Sequence, residues 1–248
     1  MNNPFSLEGK QIMVTGAASG IGRSICVEAS KLGAQVILVD LNEERTKTTL
    51  SLMQSGNHHI RIIDLTMQDQ VKSMLESVGE LDGLVNCAGV ALTLPFKFTT
   101  ESELTRMMSI NFYGPVLLTQ QLLKVKKIKN KASIVYMASI DGTVTGHIGN
   151  SIYSATKGAI MGMTRSQALE LASRGIRVNC VSPARVNTPL IKRENISEEQ
   201  VQANMQLYPM KRYAEPEEIA YYIIYLLSDA STYTTGTNLV IDGGFTIL

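Results

Sequence analysis

Tyr153 and Lys157 stand four residues apart in a stretch patterned as a helix, so a single helix face would carry both. A phenol with its ordinary pKa near 10 is a poor base at neutral pH, and a nearby ammonium favours the phenolate. The pair could therefore exchange a proton with a substrate oxygen. Ser139, upstream of the tyrosine, could donate a hydrogen bond to the same oxygen and stabilise charge as it develops there. On this reading Tyr153 should titrate below its ordinary range.

A second group of residues has the chemistry of phosphate binding. An apolar run leads into Thr15-Gly16-Ala17-Ala18-Ser19-Gly20-Ile21-Gly22, and a helical pattern follows at once. Gly16 and Gly20 suit a tight turn whose amides approach a pyrophosphate, Gly22 suits close packing of the new helix, and the helix N-terminus faces the anion. The spacing is T-G-x-x-x-G-x-G rather than the commoner G-x-G-x-x-G. Asp40 closes the next apolar run, about 20 residues on, where a carboxylate hydrogen-bonds an adenosine ribose. That carboxylate would repel a 2′-phosphate, and neighbouring Ser19 and Leu41 bring no positive charge. These residues point to NAD rather than NADP, and the positive nicotinamide ring would add to the pull on the Tyr153 proton.

The elements that must position these groups follow from periodicity. Strands are expected at Gln11–Val14, Gln35–Val39, His59–Ile63, Gly83–Asn86, Ser133–Met137, Arg177–Val181 and Asn238–Ile241. Amphipathic helices are expected at about 20–32, 43–54, 67–78, 101–130, 152–174 and 216–228. The strands read as continuous apolar runs, such as Val36-Ile37-Leu38-Val39, which is the pattern of a parallel sheet covered on both faces. The fold class is α/β: a single Rossmann-type, doubly wound domain over residues 1–248. The excursion 184–215 follows a strand's carboxyl end and contains a substrate lid at about 188–213. The chain has 248 residues, 44% of them apolar, and a formal charge of +1, which gives no basic excess for nucleic acid. Three scattered cysteines, no leader pattern and no apolar run of membrane length lead to the expectation of a soluble cytoplasmic protein.

Further motifs turn the pattern into a resemblance. Asn86-Cys87-Ala88-Gly89 follows the fourth strand, Asn111 lies in the long helical stretch 101–130, Ser139 precedes Tyr153-Ser154-Ala155-Thr156-Lys157, and Pro183-Ala184-Arg185-Val186-Asn187-Thr188 follows the sixth strand. With the glycine turn, and over essentially the whole chain, these resemble the short-chain dehydrogenase/reductase family. Leu207–Tyr213 before Pro216-Glu217-Glu218 resembles its 3-oxoacyl-(acyl-carrier-protein) reductase branch. The resemblance implies hydride transfer between an alcohol or carbonyl substrate and a nicotinamide dinucleotide, with no metal. It implies that Lys157 also holds the nicotinamide ribose and that Asn111 supports a water chain from Lys157 to solvent. It further implies that Asp64 and Leu65 sit at the adenine, that Asn86, Ala88 and Gly89 pack beside adenine and ribose, and that Pro183, Val186 and Thr188 lie at the nicotinamide and pyrophosphate. Members of that branch commonly use NADPH, against which Asp40 speaks. A polyol, sugar or hydroxysteroid substrate fits the same outline, and a catalytically silent dinucleotide-binding scaffold is the alternative from another class.

Other features read as structural. His147 reads as a solvated loop histidine, and the cysteines read as small buried apolar residues. Lys124, Lys126, Lys127, Lys129 and Lys131 read as a solvated run at a helix end, or as a dock for an acidic acyl carrier protein. The 217–227 helix, with Tyr221, Tyr222 and Tyr225 widening its apolar face, resembles the family's subunit contact, and a homotetramer is expected by that analogy.

Overall fold

A computed structural model describes residues 3–189 and 197–248. Seven strands form one sheet: β1 (Gln11–Thr15), β2 (Gln35–Asp40), β3 (His59–Ile62), β4 (Leu81–Asn86), β5 (Ile128–Met137), β6 (Arg177–Pro183) and β7 (Asn238–Ile241). Their order is β3-β2-β1-β4-β5-β6-β7, with every neighbouring pair parallel. Alternate residues of each central strand enter opposite apolar layers. Ile12 and Val14 of β1 join Val36 and Leu38 of β2 on one side, with Ile25 of α1 (Gly20–Lys31) and Ile219 and Ile223 of α8 (Pro216–Leu227). Met13 and Ile37 join the other layer, with Val71 of α3 (Gln68–Ser77), Leu118 of α5 (Gly114–Lys124) and Ile160 of α6 (Ser151–Leu171). Both faces are dry, which is why the strands are apolar throughout rather than alternating. Full burial of each large aliphatic side chain in these layers contributes about 1.5–3 kcal/mol.

The helical stretch expected at 101–130 is three elements. α4 (Glu101–Met108) opens with a capping box in which Thr100 and Glu103 satisfy each other's backbone amides. A π-turn follows at Ser109–Tyr113, and α5 then runs only to Lys124. Pro115 has no N–H to give to the carbonyl of Asn111 and its ring crowds that carbonyl, so the backbone widens there by one residue per turn. After α5 the chain turns through Lys126, at φ 57°, and Ile128 is already paired with Leu81 of β4. The basic residues are thus divided between a helix end, a turn and a strand rather than lying along one helix. Lys129 is bound by the Asp82 carboxylate at 2.8 Å.

The remaining helices are α2 (Glu43–Ser51) and α7 (Glu198–Met205), the latter capped by Ser197 and Gln200. The lid expected at about 188–213 falls partly outside the described residues. Among the described residues no helix is long and apolar enough to cross a membrane.

Candidate active site

A cavity of about 730 Å³ lies along the carboxyl ends of the strands. Its floor begins where β1 turns into α1. Gly22 sits so close to the preceding turn that a Cβ there would lie 2.1 Å from the Gly16 carbonyl oxygen. Thr15 clasps the neighbouring strand end, its Oγ1 accepting from the amides of Cys87 and Ala88 at 3.1 Å. The first turn of α1 holds no acidic residue, and the Ser19 side chain makes no capping bond, so the N-terminal amides face the cavity uncontested. Gly16, Ser19, Gly20, Ile21 and Gly22 all line it. An elongated cleft with a glycine turn and helix N-terminus at its floor and a carboxylate at one end fits a dinucleotide.

Asp40 closes that end. Its carboxylate accepts from the amides of Ala18 and Asn42, each at 3.0 Å, which fixes the side chain against the glycine turn. Asp64 and Leu65 line the same end. Arg45, one helical turn beyond the Asn42 cap of α2, lines it too. The residues flanking Asp40 in sequence show no such cation, because it arrives from the next helix.

At the other end Ser139, Tyr153 and Lys157 come together. The Ser139 hydroxyl accepts from the Asp141 amide at 3.2 Å and is hydrogen-bonded to Tyr153. Lys157 lies 5.6 Å from the Tyr153 ring centre and donates to the Met137 carbonyl at 2.8 Å. Burial pushes the Tyr153 phenol up to about 12; the Ser139 bond opposes this, while Asp141 and Cys87 add to it. The expected depression of Tyr153 is therefore not produced by the protein's own groups. Lys157 hands its proton toward a carbonyl, and desolvation outweighs its charge. The same burial lowers Lys157 to about 8. Cys87 also lines the cavity, and burial raises its thiol to about 12.

Ala88, Gly89, Pro183, Val186 and Thr188 line the cavity between the two ends. Two residues singled out from the sequence do not line it. Asn86 turns its amide into the protein and donates to Thr119 Oγ1 at 3.1 Å. Asn111, at the centre of the π-turn, sits behind Gly89. It accepts from the Val90 amide at 2.8 Å and donates to the Val90 carbonyl at 2.9 Å and to Thr156 Oγ1 at 3.2 Å. A Cβ on Gly89 would come within 3.2 Å of the Asn111 oxygen and 3.6 Å of Lys157 Nζ, so this glycine leaves the space between them open. His147 is the converse case. It is half exposed, but it lines the cavity, bonds to the buried Asp141 carboxylate and stacks on Phe245.

Fold and site together define a Rossmann-type oxidoreductase that works on a nicotinamide dinucleotide. A family model described as enoyl-(acyl carrier protein) reductase matches residues 16–246. The 3-oxoacyl-(acyl-carrier-protein) reductase FabG of Thermotoga maritima is 34% identical, over 97% of this chain and 99% of that protein. The dehydrogenase/reductase SDR family member 6 of Xenopus laevis is 32% identical, over 97% and 99%. A solved structure from Brucella melitensis, described as a short-chain dehydrogenase/reductase, glucose/ribitol dehydrogenase, superposes with a TM-score of 0.89 at 32% identity, covering 98% of this chain and 99% of that one. The chain belongs to the short-chain dehydrogenase/reductase family, in its 3-oxoacyl-(acyl-carrier-protein) reductase-like branch.

Proposed function

We propose that the protein interconverts a secondary alcohol and a carbonyl compound with NAD(H), and that Tyr153 carries the proton. The observation that carries this reading is the convergence of Ser139, Tyr153 and Lys157 at the end of the cavity opposite Asp40. Gly16, Ser19 to Gly22 and Thr188 would hold the pyrophosphate, Asp40 the adenosine ribose, and Lys157 the nicotinamide ribose. The nicotinamide supplies or accepts the hydride. In the reducing direction Tyr153, held neutral by its raised pKa, gives its hydroxyl proton to the substrate oxygen. Ser139, held in place by the Asp141 amide, would donate its own hydrogen to support charge on that substrate oxygen. Lys157, lowered to about 8, can pass a proton at near-neutral pH, and Asn111 behind it would anchor the path to solvent.

The preference for NAD rests on the Asp40 carboxylate. A 3-oxoacyl-(acyl-carrier-protein) reductase proper, using NADPH, is the second reading, favoured by the FabG relative and by Arg45, which lines the same cavity as Asp40. In that case the lysines around 124–131 would be the dock for the acidic carrier. Three free thiols accord with a reducing, cytoplasmic setting. A homotetramer assembled in part through the exposed tyrosines of α8 is our reading of its quaternary state.

The test follows NADH and NADPH oxidation with 3-oxoacyl thioesters and simple ketones, in the native protein and in Tyr153→Phe. Turnover is expected with NADH, and the variant should lose about 10²–10⁴-fold while still binding NADH. Turnover with NADPH alone would remove the Asp40 argument. Undiminished turnover in Tyr153→Phe would remove the mechanism, and binding of NADH with no turnover of any carbonyl would favour the scaffold.

A further inference from the structure

Asp141 is a buried carboxylate in the cavity wall that the proton transfer above does not use. Its backbone amide holds Ser139, and both of its carboxylate oxygens are engaged: one by Nδ1 of His147, the other by Nδ2 of Asn150 at 2.7 Å. Asn150 in turn accepts from Thr93 Oγ1 at 3.1 Å, and the Leu94 amide donates to the Gly149 carbonyl at 2.8 Å. The loop after β5 is thereby tied to the loop after β4 across the cavity mouth. Asp141, His147, Asn150 and Thr93 line the same cavity as Ser139 and Tyr153.

This arrangement fixes the chemistry that His147 can offer. With Nδ1 committed to Asp141 and the ring stacked on Phe245, Nε2 is its remaining polar atom, without a hydrogen-bond partner among the described residues. A neutral imidazole accepts there and a protonated one donates, and a hydroxyl satisfies either. A carboxylate has no proton to give to the neutral imidazole and would be set against the Asp141 side chain. A purely aliphatic chain would leave Nε2 without a partner, a loss that sites built for a hydroxyl convert into discrimination.

We infer that Asp141, His147 and Asn150 form a subsite for a second hydroxyl of a neutral polyhydroxylated substrate, a polyol or sugar, with His147 as the contacting group. The inference rests on the alcohol–carbonyl reading above and names its substrate class. Asp141 and Asn150 act through His147 and are positioning residues.

Two measurements test it. In the first, kcat/KM with NAD⁺ is compared for the pentitols ribitol and xylitol, for 2-pentanol and for 3-hydroxybutyrate. The native protein should favour a pentitol. His147→Phe, which keeps a ring to stack on Phe245, should reduce the pentitol-to-pentanol preference at least about tenfold. His147→Gln, which keeps a polar group near the Nε2 position, should retain part of it. In the second, the His147 imidazole signal is followed by NMR in Tyr153→Phe with NAD⁺ present, the signal being assigned by its loss in the double variant with His147→Phe. It should shift with a pentitol and stay in place with 2-pentanol. No shift with either pentitol overturns the subsite, whatever the protein oxidises. A shift in a protein whose native form oxidises none of the alcohols keeps the subsite and overturns the oxidoreductase reading instead. A His147-dependent preference for 3-hydroxybutyrate overturns the polyol assignment.

Discussion

Lys157 is 4% exposed, and its ammonium rests on the Met137 carbonyl. A lysine held this way titrates at about 8, well below its ordinary 10.5. The sign of the consequence follows from proton counting. Between about pH 8 and 10 the unfolded chain keeps the lysine proton that the folded protein has already released, so the unfolded state binds more protons and stability rises with pH. Tyr153, raised to about 12, works the other way above its ordinary value of 10, where the unfolded phenol ionises first. In urea unfolding at a series of pH values Lys157 should therefore contribute a climb in native stability from pH 8 toward 10, of at most about 1.4 kcal/mol per pH unit, set against the fall that the buried thiols of Cys26, Cys87 and Cys180, all raised above their ordinary 9, begin in the same range. Lys157→Met should lack the climb. An identical pH profile in that variant would mean the lysine is not desolvated as described. Much of this centre was legible in advance, because Tyr153, Lys157 and Ser139 have reactive side chains at revealing spacings. The direction of the Tyr153 shift was not, since it depends on burial and on Asp141, which no spacing discloses. Arg45 was missed for a similar reason: it comes to the cavity from the helix that follows the strand of Asp40.

The loop that carries Ser139 is locked to the helix that carries Tyr153 through a pair of glycines. Gly142 is at φ +83°, and a Cβ there would lie 2.0 Å from the Ser154 carbonyl oxygen; opposite it, a Cβ on Gly158 would meet the Gly142 oxygen at 2.9 Å. Gly142→Ala must part the loop from α6. It should destabilise the fold by about 1–3 kcal/mol and lower turnover at least tenfold, with NADH affinity at the Asp40 end little altered. Melting curves, kinetics and NADH titration would check this, and a fully active variant would show that the loop does not hold Ser139 in register. The strands were readable as a set because two dry faces impose continuous apolar runs such as Val36 to Val39. The π-turn was not readable: Ser109 to Tyr113 continue a helical pattern, and only Pro115 hints at a break. The start of β5 was equally hidden, since Lys129, Asn130 and Lys131 look like a solvated helix end until Ile128 and Asp82 are seen to pin them. His147 looked like loop because its partner, Asp141, is brought to it by the turn at Gly142.

α8 divides its surface between two tasks. Ile219, Ile223, Leu226 and Leu227 are buried against the sheet, whereas Tyr221 and Tyr222 are 56% and 45% exposed on the outer side. On the proposed tetramer, replacing both tyrosines by Asp should shift the mass measured by light scattering toward fewer subunits, while the helix keeps its inner contacts; an unchanged mass would exclude this face from the assembly. The sheet itself has a consequence in time. With every pair parallel, no strand meets its neighbour through a hairpin, and β1 must find β4 across the whole of β2 and β3, joining Ile12 to Gly83. Such long-range closure is slow and leaves apolar edges open while it waits. Helices can therefore form well before the sheet is complete. The clasp of Thr15 on Cys87 and Ala88 is made only when β1 and β4 meet, so the ability to hold a dinucleotide emerges with the slow step of folding rather than with the first appearance of structure.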